Sequence, residues 1–224
     1  MKLQNVKQAE VTWVLAIAST LCALAAPSAA LAHPHIFVDA KFEAISDASG
    51  NLMEVHDIWR FDEVFSSSVL LDYDKNQNNT LDPPELKAVA KTVKQSLAQY
   101  NFYTNITING KAVTLDPPDV LHADYSDGAL TLSFVQKPKQ PTPLKGLIIF
   151  GVYDPSLYTA LDFVDDKDLK VTGQGFNRCS RKVVRPNSKE ILAENQAMLT
   201  SLFFSDPKGT DYSQLVATRL EVRC

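Results

Sequence analysis

From His35 to Ala44 the chain alternates, with Ile36, Val38, Ala40, Phe42 and Ala44 apolar and His35, Phe37, Asp39, Lys41 and Glu43 between them. A period of two sends successive side chains to opposite faces, so this stretch is a strand that needs an apolar layer against one side only. A turn at Ser49-Gly50-Asn51 leads to a second alternation over Met53 to Phe61. There Val55, Asp57, Trp59 and Phe61 share one face, and His56, Ile58 and Arg60 the other. Two one-sided strands in succession commit the chain to a sheet packed against something else.

Asp62 follows the second strand as a helix N-cap, with Phe61 and Phe65 placed to staple the first turn of a short helix reaching Leu71. Pro83-Pro84 opens a second helix, in which Leu86, Val89, Ala90, Val93 and Leu97 recur at helical spacing. Strand signals then resume at Ile106 to Ile108, Ala112 to Leu115 and Ala129 to Phe134, with hairpin dipeptides at Asn109-Gly110 and Asp127-Gly128. Pro138, Pro141 and Pro143 stiffen a connector before a buried strand over Leu147 to Tyr153. Further strands are expected over Leu161 to Val164 and Leu169 to Thr172. Asn187 or Ser188 caps a helix running through Leu202, and a final alternation ends at Cys224. The expected class is α+β: a mainly antiparallel β-sheet or sandwich with an inserted helix-loop-helix and a C-terminal helix and strand. Residues 33–136 make an N-terminal α+β region carrying the insertion, and residues 137–224 a β-rich region.

Residues 1–32 read as a cleavable signal peptide. Lys2 and Lys7 precede an apolar run from Val11 to Ala26, and Ala30-Leu31-Ala32 supplies the small-x-small cleavage pattern. Ser19, Thr20, Pro27 and Ser28 interrupt the run, which falls short of the ~20 apolar residues of a spanning helix. Removal of Lys2, Lys7 and Glu10 takes the formal charge from -4 to -5 and leaves no basic block, so nucleic acid is not an expected partner and cations are. Cys22 leaves with the leader. Cys179 and Cys224 remain as an even pair outside the cytoplasm, where a disulfide is the default.

Three features carry possible chemistry. The segment Asp74-Lys75-Asn76-Gln77-Asn78-Asn79-Thr80-Leu81-Asp82-Pro83-Pro84-Glu85 resembles the twelve-residue loop of an EF-hand. Asp74, Asn76, Asn78, Asp82 and Glu85 stand where side-chain oxygens bind calcium, Thr80 where a backbone carbonyl does, and Asn79 at the sharp turn usually made by glycine. Two amides in place of carboxylates imply weak binding, in the class of about 10⁻⁴ to 10⁻³ M. The competing reading is a polar connector holding no ion. His33-Pro34-His35, at the expected new N-terminus, places two imidazoles about 6.6 Å apart on one strand face, within reach of one zinc or nickel ion. The competing reading there is a frayed terminus. Asp154, in Tyr153-Asp154-Pro155, either caps the turn that proline enforces or supplies a missing carboxylate ligand. His56 and His122 read as strand residues rather than ligands. No Ser/His/Asp signature, GxSxG, Walker loop or GxGxxG occurs, so neither an enzyme nor a small organic substrate is expected.

With HPHIFVDAKFEA after the leader, WRFDEVFSS, the calcium-type loop, VYDPSLY and two late cysteines, the chain resembles a family of periplasmic proteins of unknown function. That family is described as the periplasmic component of an uncharacterised ABC-type transport system. Its members accompany membrane proteins of the nickel/cobalt exporter type, and the Zev zinc-acquisition proteins belong with them. The resemblance implies a periplasmic, non-catalytic accessory that binds Zn²⁺, or Ni²⁺ or Co²⁺, at His33 and His35 for an integral membrane metal transporter. The alternative is a calcium-stabilised envelope interaction module.

Overall fold

The computed structural model describes residues 34–187, 190–191 and 213–224. The chain partitions into two units, Met1–Ala32 and His33–Cys224, and the described residues all lie in the second. Within it, one sheet takes the order β5 (Leu121–Ser126), β6 (Ala129–Gln136), β2 (Leu52–Phe61), β1 (Ile36–Ser46), β8 (Thr159–Asp162), and β9 (Leu169–Thr172) also pairs with β1. The other runs β10 (Ser180–Val184), β11 (Arg219–Arg223), β7 (Leu147–Val152), β3 (Thr104–Ile108), β4 (Lys111–Ala112). All pairings are antiparallel except those of β8 and β9, which lie end to end, parallel to β1. The expected α+β, mainly antiparallel arrangement is therefore present, consistent with a sandwich.

The alternation in β1 is realised: Val38, Ala40, Phe42 and Ala44 are buried, and Phe37, Asp39 and Lys41 are exposed. Phe42 meets Phe150 of β7 with ring centroids 5.5 Å apart, one of the contacts that join the sheets. Trp59 meets Phe134 edge-on at 5.0 Å, and Ile106, Ile148, Leu220 and Val222 fill the opposing layer. Residue 137, where the sequence divides two regions, follows β6, and each sheet draws strands from both sides of it: β3 and β4 lie with β7, β10 and β11, and β8 and β9 pair with β1. Leu52 N–H donates to Thr142 O, and Leu144 N–H to Gly50 O, each at 2.8 Å, pinning the proline-rich connector to the β1–β2 turn.

The turns form for the reasons their residues give. Asn109 and Gly110 both take positive φ (51° and 77°), as do Asp127 and Gly128 (52° and 72°), the geometry that matches a tight hairpin to strand twist. Helix α1 (Glu63–Tyr73) starts at Asp62, whose carboxylate accepts from Phe65 N–H at 2.9 Å, and the Phe61 and Phe65 rings lie 4.9 Å apart. Helix α2 (Pro83–Leu97) opens with Asp82 and Glu85 in a capping box. A short helix α3 (Ser213–Val216) precedes β11, so the last strand begins later than the alternation from Val216 suggests. The helix expected from Asn187 or Ser188 through Leu202 lies almost entirely outside the described residues. Strand β10, which its exposed Ser180, Arg181 and Lys182 conceal from a hydrophobicity reading, pairs with β11. The disulfide joins Cys179 to Cys224, a sequence separation of 45, just beyond that pairing.

Candidate functional site

Ile36 opens β1 opposite Thr159, and this pairing sets His35 against the loop that carries Asp154. His35 N–H donates to Tyr158 O at 2.9 Å, and the two rings lie 4.9 Å apart at 38°. His35 is exposed; His33 lies outside the described residues.

Asp154 is 2% exposed. Its Oδ1 accepts from Ser156 N–H (2.8 Å) and Ser156 Oγ–H (2.7 Å), and Oδ2 accepts from Thr159 N–H (2.9 Å). Leu157, at φ 58°, closes the loop by donating its N–H to Asp154 O at 3.0 Å. A bulky residue in the left-handed region is strained, and the donors around Asp154 hold it there. Tyr103 also hydrogen-bonds Asp154, and burial first, then the neighbouring carboxylate charge, pushes its phenol well above the ordinary tyrosine range. Tyr103 belongs to a run, Asn101–Phe102–Tyr103, in which every φ is positive. With both oxygens committed to protein donors, Asp154 organises the loop beside His35.

Beneath Tyr103 lies a buried polar group that the alternation had put on the inner face without revealing its environment. Trp59 stacks on the Tyr103 ring at 5.9 Å, and Asp57, two residues before it, is 1% exposed. Burial pushes the Asp57 carboxyl up to about 8, against the Thr104 hydroxyl and the Trp59 side chain, which favour its ionised form. Asp57 Oδ1 and Gln136 Oε1 are buried without a hydrogen-bond partner among the described residues.

The Asp74–Glu85 loop joins α1 to α2. Asn79 adopts φ 61°, the left-handed turn its position calls for. Asp74 accepts from Asn78 N–H (3.2 Å) and Asn79 N–H (2.8 Å), Asn78 Oδ1 accepts from Thr80 N–H (3.1 Å), and the amides of Asn76 and Asn78 both donate to Asp82 Oδ2, at 2.7 and 3.0 Å. Glu85 spends one carboxylate oxygen on Lys75 N–H (2.7 Å) and the other on Asp82 N–H (2.9 Å). The oxygen types suit calcium, but to bind it Glu85 must leave the two backbone amides and the two asparagine amides must turn their oxygens inward. Among the described residues, no three His, Cys, Asp or Glu side chains gather into a group that could hold a metal.

His56 and His122, read separately from the sequence, line one cleft on the outer face of the first sheet. Their meeting depends on β6 lying between β2 and β5. The hairpin at Asp127-Gly128 signals half of that arrangement, and the β2–β6 pairing has no local signal.

No helix among the described residues is long and apolar enough to cross a membrane. The family described as protein of unknown function (DUF1007) matches residues 18–224. The chain is also similar to an uncharacterised 15.5 kDa protein in the trpE 3' region of Spirochaeta aurantia. The two are 27% identical over 111 residues, covering 48% of this chain and 78% of that protein.

Proposed function

This chain belongs to the family of unknown function DUF1007, and we propose that it is a periplasmic, non-catalytic accessory that binds a transition-metal ion and presents it to an integral membrane transporter. Zinc is the first candidate, with nickel and cobalt next. The observation that carries the reading is the placement of His35. Strand pairing and the Asp154 loop hold its backbone, and the residue, its ring against that of Tyr158, is exposed two residues after His33 in the sequence. Imidazoles at that spacing suit a borderline-soft divalent ion. In this reading residues 1–32 are a signal peptide cleaved after Ala32, and the Cys179–Cys224 disulfide suits the oxidising compartment beyond. Asp154 acts by fixing the loop under His35.

The test is calorimetric titration of the exported protein, its N-terminus identified by mass spectrometry, with Zn²⁺, Ni²⁺ and Co²⁺. Stoichiometric binding that disappears from a His33→Ala/His35→Ala variant supports the reading. Unchanged affinity in that variant refutes it for the terminal histidines.

A second reading has its own observation in the Asp74–Glu85 loop. A left-handed Asn79 and a helix on each side support an EF-hand-like calcium site that stabilises an envelope interaction module. It predicts a melting temperature raised by Ca²⁺ and not by Zn²⁺, with the rise lost in Asp74→Ala.

A further inference from the structure

Five of the chain's six arginines belong to one strand pair. Arg60 stands apart, while Arg178, Arg181, Arg185, Arg219 and Arg223 all lie on β10 and β11 or within two residues of them. Lysine, by contrast, is scattered from one end of the chain to the other. No contiguous run of cations announces the cluster. Arg223 joins Arg178, Arg181 and Lys182 only through the fold, which sets it opposite Ser180, and the Cys179–Cys224 disulfide clamps the same end.

At the far end of the pair the arginines are spent on acids: Arg185 lies 3.0 Å from Asp166 Oδ1 and Arg219 3.1 Å from Glu221 Oε1. At the disulfide end Arg178, Arg181, Lys182 and Arg223 are exposed and make no ion pair among the described residues. Leu220 and Val222 are buried, so Arg223 and Glu221 point outward, and Lys182, opposite Glu221, shares that outer face. Arg181, opposite Val222, takes the other side, yet is exposed because β10 is the edge of its sheet. The cations therefore cover both the face and the edge of a ribbon held at its end by a covalent bond.

We propose that this ribbon docks the protein on a membrane surface of anionic phospholipids. The planar guanidinium matches phosphate oxygens in a two-point fork, which a lysine cannot do. Arg178 to Lys182 spans up to about 13 Å of extended chain, more than one small anion covers and on the scale of neighbouring headgroups. The ribbon also lacks the apolar centre that a protein partner would bury, since none of the exposed large apolar side chains among the described residues lies on β10 or β11. The whole chain carries a formal charge of -4 even with these cations counted, so an anionic surface attracts this side and repels the rest, which fixes orientation as well as contact. The ribbon does not depend on the metal-handling reading, and either can fail alone.

The full exported protein is sedimented with vesicles of phosphatidylcholine alone and with vesicles that also contain phosphatidylglycerol. Binding to the second only, lost at high salt as screening requires, is expected. Each cation removed from such a surface weakens binding about fivefold, so Arg178→Gln/Arg181→Gln/Lys182→Gln should bind about 100-fold more weakly. Lys87→Gln/Lys91→Gln/Lys111→Gln, the same charge change at exposed positions elsewhere, should lose far less. Equal weakening in the two variants, binding to both kinds of vesicle, or binding to neither overturns the proposal. So does release by inorganic phosphate at matched ionic strength, which marks a single-anion site, or capture by polyglutamate without vesicle binding, which marks an acidic protein partner. Because a variant can fail to fold, hydrogen exchange is also followed in the wild type on the anionic vesicles. Slowing in residues 178–184 and 219–223 supports the ribbon, and unchanged exchange there in the bound protein overturns it.

Discussion

The Thr104 hydroxyl lies 3.3 Å from Oδ2 of Asp57, joining the edge of one sheet's inner face to the other through a buried carboxyl. Folding takes this acid from an ordinary value of 3.8 to about 8. Between those limits the unfolded chain has released the proton and the folded chain retains it, so stability is greatest below the lower value and falls as pH rises toward the upper. At neutral pH the loss is on the order of 4 kcal/mol. Urea unfolding at pH 5 and pH 8 should show the decline, and Asp57→Asn should flatten it and be the more stable protein at the higher pH. A wild-type stability that does not change across this range would contradict the buried, protonated acid.

Removing the Ser66 hydroxyl should uncouple α1 from β6. Ser66 is fully buried, donates to Asp62 O at 2.7 Å and accepts from Leu130 N–H at 2.9 Å. Ser66→Ala strands the Leu130 amide in the core, at a cost of about 1 to 3 kcal/mol in denaturant unfolding.

The charge of Asp154 helps hold the Tyr103 phenol in its neutral form, second to burial. Asp154→Asn should therefore bring the Tyr103 titration down, as followed by tyrosinate absorbance, while burial keeps it above the ordinary range. Asp154→Ala should also release the Leu157 turn and speed amide exchange at Ser156 and Thr159, which donate to the carboxylate.

Cys179 and Cys224 close a separation of 45 residues, which in the chain-entropy account contributes about 4 kcal/mol. Replacing both by serine should lower unfolding stability by roughly that amount. It should also raise hydrogen exchange first in β10, three of whose five residues are exposed and which adjoins the disulfide.

Local chemistry was readable before the fold was known. Asp62 announced α1, Pro83-Pro84 announced α2, and two Asx-Gly pairs announced hairpins, because each acts on residues within four positions. The inner face of β2 was also readable, including Asp57, since alternation assigns faces without saying what a polar residue will meet there. The parallel docking of β8 and β9 on β1 was not, because it links residues more than 120 apart through no local motif. The cleft was lost for the same reason: His56 and His122 are neighbours only by way of β6. Strand β10 escaped because an edge strand with polar faces has no hydrophobic period to display.

That docking sets an order of events as the chain emerges. β1 leads the folded unit, yet one of its two edges is closed by residues from Thr159 to Thr172, and Ser46 hydrogen-bonds Thr172 across 126 positions. The first strand to appear must wait for most of the chain before its sheet can be completed. Long-range pairings of this kind form late and slowly, so the completion of the first sheet depends on residues that are made after most of the chain.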